Sequence, residues 1–259
     1  MTMVTSNESL LQAVRECAEI TGAFAHRHYR GDVAVEWKAD GSPVTIADRG
    51  AEQAARDWIS ARFPDDAIGG EEFGERSGTS GRRWIIDPID GTKSFVRGVP
   101  LWASLVAVLE DERVLAGAAS FPATGETIAA AAGCGCWHNG SRASVSAVSS
   151  LGSATVLTSD DRTFSPGGPR AGWDRLSDAA SVSRTWGDAF GYLLVATGRA
   201  DVMVDAIVNA WDIACFVPII EEAGGVFTDY TGRITAFGGN AIATNAALAA
   251  ESRRILCST

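Results

Sequence analysis

Residues 84–92 read W-I-I-D-P-I-D-G-T. Trp84, Ile85 and Ile86 form an apolar run that belongs in a buried strand, and it opens directly onto Asp87 and Asp90 around Pro88. Proline holds the residue before it extended and closes the strand in a tight turn, so two carboxylates stand near each other where water is scarce. At an effective dielectric of about 20, two like charges ~4 Å apart repel by ~4 kcal/mol. Such a turn requires a proton or a cation. Oxygen ligands of this hardness suit Mg²⁺ or Mn²⁺ rather than zinc. The next residues, Gly91-Thr92-Lys93-Ser94, read as a helix start whose Gly91 and Thr92 amides face outward, an anion seat beside a cation seat. The plainer alternative makes Asp90 a helix N-cap and Asp87 a strand-ending turn residue. Two other segments also place carboxylates at the end of apolar elements: Gly70-Glu71-Glu72 and Trp211-Asp212.

The chain around these segments is 259 residues long, with 46% apolar and 21% charged positions, which suffices for a sizeable core and excludes intrinsic disorder. Twenty-two basic against thirty-two acidic residues give a formal charge of −10, which opposes binding to nucleic acid or anionic lipid. The N-terminus lacks a basic start and an apolar stretch of secretory length, and no window is apolar enough to span a membrane, so a cytoplasmic protein is expected. Five scattered cysteines are expected to be reduced thiols. Cys134, Cys136 and His138 are close in sequence, but they fall in a Gly-rich turn without a second ligand pair and read as a hairpin.

Thr5 and Glu8 have capping-box spacing before a helix carrying Leu10, Leu11, Val14, Cys17, Ala18 and Phe24, weakened near its end by Gly22. A strand over 33–37 precedes a second helix announced by Pro43 and Thr45 and stopped at Pro64. Strands follow around Ile68 and at 84–86, 101–109, 114–120 and 127–131. From about residue 150 the pattern alternates: strand 154–158, helix 173–180, strand 181–186, helix 188–197, strand 201–204. One helix over 212–223, kinked at Pro218 and closed by Gly224-Gly225, leads to strands at 226–228 and 241–243 and a terminal helix. The expectation is a layered α/β chain with an antiparallel-rich first half and a strand-helix second half. It reads as one domain over 1–259, with subdomains of about 1–149 and 150–259 meeting at a cleft.

These segments resemble the inositol monophosphatase family of Mg²⁺-dependent, lithium-sensitive phosphatases. The resemblance is carried by Gly70-Glu71-Glu72, by the 84–92 segment, by Trp211-Asp212-Ile213-Ala214 with Glu222-Ala223-Gly224-Gly225, and by residues 38–45 with Asp48, in family order over nearly the whole chain. It implies an αβαβα sandwich and usually a homodimer. It further implies that Glu71, Asp87 and the Ile89 carbonyl hold one Mg²⁺, that Asp87, Asp90 and Asp212 hold a second, and that Glu71 helps hold a third through water. Thr92 and Glu71 would position the attacking water, Asp48 would tune Thr92, and the Gly91 and Thr92 amides would hold the phosphate. Glu72 would support its neighbour's coordination. Lys38 reads as a screen for phosphate charge or as a solvated surface lysine.

Residues 184–192, R-T-W-G-D-A-F-G-Y, resemble the histidinol-phosphate phosphatase branch of the family. Asp205 falls where inositol phosphatases place a glutamate that grips ring hydroxyls, and the following residues lack the proline that many branch members carry. Histidinol phosphate carries an amine and an imidazole beside its phosphate. Asp188 and Asp205 could pair the amine and Asn209 could bond the ring, with Arg184 nearby in sequence. Asp188 could instead simply cap the helix that follows it. Trp186 is expected to pack against the sheet rather than stack on the substrate. The rival readings are an inositol-1-monophosphatase, a nucleotide 3′-phosphatase of the same family, and a non-catalytic metal-binding scaffold.

Overall fold

The computed structural model describes residues 6–31, 35–37, 43–165 and 168–258. Helix α1 (Asn7–His26) buries Leu10, Val14, Cys17 and Ala18 on one stripe. Its cap is Ser6, whose hydroxyl accepts from the Ser9 amide at 3.2 Å, one residue later than the spacing of Thr5 suggested; Thr5 lies outside the described residues. Gly22 does not end the helix. A Cβ there would lie 2.8 Å from Pro122 Cγ, so the glycine lets the helix lie close against the sheet.

Strands β1 (Val35–Trp37) and β2 (Pro43–Thr45) pair antiparallel, and helix α2 (Ile46–Arg62) follows at once. Residues 33 and 34 of the expected strand lie outside the described residues. Thr45 and Asp48 form the capping box of α2, which ends before Pro64 as expected.

An eight-stranded sheet comes next: β3 (Ala67–Gly70), β4 (Gly74–Arg76), β5 (Arg82–Asp90), β6 (Ala103–Glu110), β7 (Arg113–Phe121), β8 (Glu126–Ala131), β9 (Gly135–His138) and β10 (Ser141–Arg142), with the short helix α3 (Thr92–Phe95) after β5. Its order is β10-β9-β8-β7-β6-β5-β3-β4, and every pairing is antiparallel except β3 with β5. The Cys134–His138 segment forms the β9 hairpin, where His138 pairs with Glu126 at 2.9 Å and Cys136 is buried.

A second sheet has the order β12-β11-β13-β15-β14, made of β11 (Thr155–Leu157), β12 (Val182–Arg184), β13 (Val202–Asp205), β14 (Gly225–Thr228) and β15 (Ala241–Asn245). β11 runs parallel to β12 and β13, and the other pairings are antiparallel. The remaining helices are α4 (Gly168–Ala179), α5 (Ala189–Ala196), α6 (Ala210–Ile213), α7 (Phe216–Glu222) and α8 (Ala249–Cys257).

Helices α1 and α2 cover one face of the large sheet, α5 and α7 lie between the two sheets, and α4 with α8 covers the outer face of the small one. This is an αβαβα sandwich. Three apolar layers fill it: Trp58, Trp84 and Val106 under α1 and α2; Leu105, Tyr192, Phe216 and Phe227 between the sheets; Val156, Trp173 and Leu256 outside.

Two local expectations are corrected. The helix expected over 212–223 is two helices broken at Ala214 and Cys215 rather than one kinked rod. Pro218 has no N–H for the Ala214 carbonyl, which takes the Val217 amide at 3.3 Å instead, and the helix restarts. Trp186 does not pack on the sheet: it is 43% exposed, because edge strand β12 stops at Arg184 and offers no sheet surface beneath it.

Candidate active site

Strand β5 carries Asp87 and Asp90 into an irregularity: Asp87 pairs with Leu105 and Asp90 with Ala103, one residue too many on the β5 side. A bulge of this kind lets both side chains reach the same space. The turn is held by three hydrogen bonds. The Ile89 amide donates to Asp87 Oδ1 at 3.0 Å, the buried Ser104 hydroxyl to the Pro88 carbonyl at 2.6 Å, and the Thr92 hydroxyl to the Ile89 carbonyl at 2.8 Å. Asp212 arrives from the first turn of α6, in a capping box with Asn209 whose amide donates to Asp212 Oδ2 at 2.7 Å. Oxygens of Asp87, Asp90 and Asp212 all lie within 4.8 Å of one another.

Burial pushes Asp87 well above the usual carboxylate range, and the charges of Glu71 and Asp90 push it further. Burial does the same to Asp90, helped by Asp188 and Asp212. Asp212 is pushed up to about 7, mainly by burial. Carboxylates that repel at this range, one buried and two half-buried, with convergent oxygens, match the donor set of a hard divalent cation.

Asp48 stands behind Thr92. Its Oδ2 accepts from the Thr45 amide at 2.7 Å and the Thr45 hydroxyl at 2.6 Å, while Oδ1 is 3.5 Å from Thr92 Oγ1. Burial raises it to about 6. Asp90 is not a helix cap. Gly91 holds the cap position of α3 at φ +79°, where a Cβ would lie 2.8 Å from the Leu101 carbonyl oxygen. That frees the Asp90 carboxylate to accept from the Ala189 amide at 2.6 Å, a bond between the two sheets' domains of influence: β5 on one side, the start of α5 on the other.

A cavity of about 250 Å³ opens over these groups, lined by Glu71, Asp87, Asp90, Thr92, Lys93 and Asp188 among others. A second of about 80 Å³ adjoins it, lined by Ser159, Asp188, Tyr192 and Asp205. Asp188 precedes α5 but makes no side-chain cap bond, which removes the plain capping reading. Its backbone sits at φ +50°, a region costly for a residue with a Cβ. The Ser159 hydroxyl holds its amide at 2.7 Å, and its Oδ2 lies 3.3 Å from where a Gly91 Cβ would stand. Burial raises Asp188 to about 6, with Asp205 adding and Lys93 opposing.

The other sequence candidates separate clearly. Asn209 lines the larger cavity. Asp205 is buried, with Oδ1 accepting from the Ser159 amide at 3.0 Å and Oδ2 from the Tyr192 hydroxyl at 2.9 Å. Arg184 is exposed at the end of β12, donates to the Ser183 carbonyl at 2.7 Å, and lines neither cavity. Lys38 lies outside the described residues. Glu72 follows Glu71 at the loop after β3, and its amide donates to Glu52 Oε2 at 2.7 Å. Sequence reasoning missed Glu52, Ser159 and Tyr192. Only Glu52 left a signal: a carboxylate four residues after Asp48, flanked by the core residues Ala51 and Ala55, on the face of α2 that had to be buried.

The arrangement is an acidic cavity between two sheets, and comparison with known proteins places it. The model of the inositol monophosphatase family matches residues 6–259, and the chain belongs to that family; it is a phosphatase. It is 43% identical over 233 residues to a histidinol-phosphatase of Chlorobaculum parvum, covering 90% of both chains. It is 40% identical to a histidinol-phosphatase of Mycobacterium tuberculosis, over 84% of this chain and 85% of that one. Among solved structures, the extragenic suppressor protein SuhB of Bartonella henselae superposes with a TM-score of 0.90 at 28% identity, covering 96% of this chain and 98% of that one. Among the described residues no helix is long and apolar enough to cross a membrane.

Proposed function

We propose that the protein hydrolyses L-histidinol phosphate to L-histidinol and phosphate with Mg²⁺, Mn²⁺ serving as a substitute. Glu71, Asp87 and the Ile89 carbonyl would hold one ion, Asp87, Asp90 and Asp212 a second, and Glu71 would help hold a third through water. The convergence of the three aspartate oxygens and their raised proton affinities support that assignment. Ions held by these residues would supply Lewis acidity to the ester's phosphoryl oxygens and to a water at neutral pH.

The chain's own groups do the rest. Gly91 and Thr92 amides donate to the phosphate oxygens at the start of α3. Thr92 Oγ1 and the Glu71 carboxylate orient the attacking water, and Asp48 Oδ1, facing Thr92 Oγ1, takes up the proton relayed through that hydroxyl. Thr92 needs no covalent role, since water is the attacking group.

The observation that carries the substrate reading is Asp188. It is held by strained backbone at the wall between the two cavities, without capping its helix, beside buried Asp205. A carboxylate so held suits a cationic amine and has little to offer a neutral polyol. Asn209, at the larger cavity, would bond the imidazole; the position of Arg184 gives it no part. The names of the relatives at 40–43% identity support the same substrate. Residues 1–149 would thus supply the metal and phosphate motifs, and 150–259 the substrate contacts and Asp212. The reading extends to a cytoplasmic homodimer, which sedimentation equilibrium of the purified protein checks.

Turnover of histidinol phosphate, inositol 1-phosphate and adenosine 3′,5′-bisphosphate with saturating Mg²⁺ tests the proposal. At least tenfold higher kcat/KM for histidinol phosphate is expected; a tenfold preference for either rival ester reassigns the substrate. Absence of turnover on every monoester would point to the non-catalytic scaffold.

A further inference from the structure

Helix α2 presents Asp48, Glu52 and Arg56 at four-residue spacing on one face, so one rigid rod reaches both sides of the site. Asp48 faces Thr92; Glu52 and Arg56 face the loop between β3 and β4 that carries Glu71. Glu52 is fully buried, and both its oxygens are used there: Oε2 accepts from the Glu72 amide at 2.7 Å, and Oε1 from the Phe73 amide at 3.2 Å. Arg56 Nε closes an ion pair to Oε1 at 2.8 Å, its other end donates to the Gly74 carbonyl, and its guanidinium lies 5.8 Å from the centre of the Phe73 ring. Gly70 completes the fit, because a Cβ there would run into the Glu52 carboxylate.

A buried ion pair that binds three consecutive backbone groups of one loop is an expensive way to hold a surface hairpin. Taking two charges out of water is repaid only by good geometry and satisfied hydrogen bonds. An apolar pair would pack the helix against the sheet equally well but would leave the Glu72 and Phe73 amides unbonded. The geometry points to Glu52, secured by Arg56, as a positioning residue that fixes the loop carrying Glu71 and thereby sets the cation affinity on the Glu71 side of the site. The inference rests on the proposed metal reading. It assigns to Glu52 the supporting role that the sequence suggested for Glu72.

The test is direct Mn²⁺ binding by isothermal calorimetry and electron paramagnetic resonance on the full chain, wild type against Glu52→Gln. The amide side chain keeps the shape but loses one acceptor and the ion pair. Groups that orient metal ligands typically contribute about 10–100-fold to affinity, so the Kd of one class of site is expected to rise about tenfold or more. The class held by Asp87, Asp90 and Asp212 should stay within about twofold, and kcat at saturating metal should fall less than the metal affinity does. A lower melting temperature with every Mn²⁺ Kd unchanged would make Glu52 merely structural and overturn the inference. Should Glu52→Gln fail to fold, Arg56→Lys keeps the charge but drops the reach to Gly74; a loss of at least threefold at the same class of site supports the inference, and an unchanged Kd overturns it. Absence of Mn²⁺ binding by the wild type would instead overturn the metal reading beneath it.

Discussion

Replacing Asp212 by asparagine should make the metal-free protein more stable and the enzyme inactive. In the folded chain the Asp212 carboxyl is pushed up to about 7 from an ordinary 3.8. Between those values the folded state holds more protons than the unfolded chain, so stability falls as pH rises through the window from about 4 to about 7. About three powers of ten in proton affinity, at about 1.4 kcal/mol each, give a ceiling of ~4 kcal/mol lost by pH 8. Asparagine resembles the protonated carboxyl in shape and can still accept from the Asn209 amide. The variant should therefore match wild type near pH 4 and exceed it increasingly up to pH 8, by as much as ~4 kcal/mol.

Urea denaturation in EDTA at pH 4, 6 and 8 measures this difference, and its growth with pH isolates the titration from any effect on packing. Adding Mg²⁺ should narrow that difference at pH 8. A ligand at 100 times its Kd stabilises the folded state by about 2.7 kcal/mol, and the variant lacks a ligand oxygen. A difference that stays constant from pH 4 to 8, or equal stabilisation of both proteins by Mg²⁺, refutes the reasoning that these carboxylates are held together against their own repulsion for a cation.

Four further outcomes follow from the geometry. Asp188→Asn should raise KM for histidinol phosphate about tenfold or more, the scale of a charge-assisted bond, while a neutral monoester such as glycerol 2-phosphate is unaffected; equal losses on both would remove Asp188 from amine recognition. Asp48→Asn should lower kcat by about 10²–10⁴, the range for a positioned proton acceptor, with little change in KM. Below pH 6 the wild-type rate should fall as Asp48 protonates, and a pH profile identical in the variant would show that another group governs it. Gly187→Ala should destabilise the fold by ~1–3 kcal/mol, because the new Cβ meets the backbone of Ser159, and calorimetry would reveal a neutral change if the close approach is not real.

Much of the site was legible because its carboxylates sit at places where local chemistry and chain pattern conflict. Asp87 and Asp90 end a strand that runs from two partly exposed arginines into the buried Trp84, Ile85 and Ile86, and Asp212 sits in the first turn of a short helix just ahead of the buried Ile213. Strands β3 and β5 to β8 of the large sheet were legible as apolar runs bounded by turns such as those at Asp111 and Gly125, whereas the short polar β4 and β10 were not. What stayed hidden depends on partners distant in sequence. Asp205 looks like a free carboxylate until Tyr192 and Ser159 are seen to use both its oxygens. Trp186 looks like a core residue until the strand beneath it ends early. Gly91 took the cap position from Asp90 because only a glycine could approach the Leu101 carbonyl, a contact no local pattern encodes.

The hidden features have a common direction. Positive φ at Asp188, an over-long β5 and an ion pair buried under the Glu71 loop are each unfavourable in isolation, and each lies at or directly behind residues that line the two cavities. Stability alone would have removed them, since each has a cheaper alternative. The Ala189–Asp90 bond shows what they achieve together. It joins the residue after the strained Asp188 to a carboxylate of the three-aspartate cluster, so the group that would read the substrate's amine and the group that would hold the cation sit one hydrogen bond apart. A substrate that settles Asp188 therefore also settles Asp90, and amine recognition should appear in kcat as well as in KM.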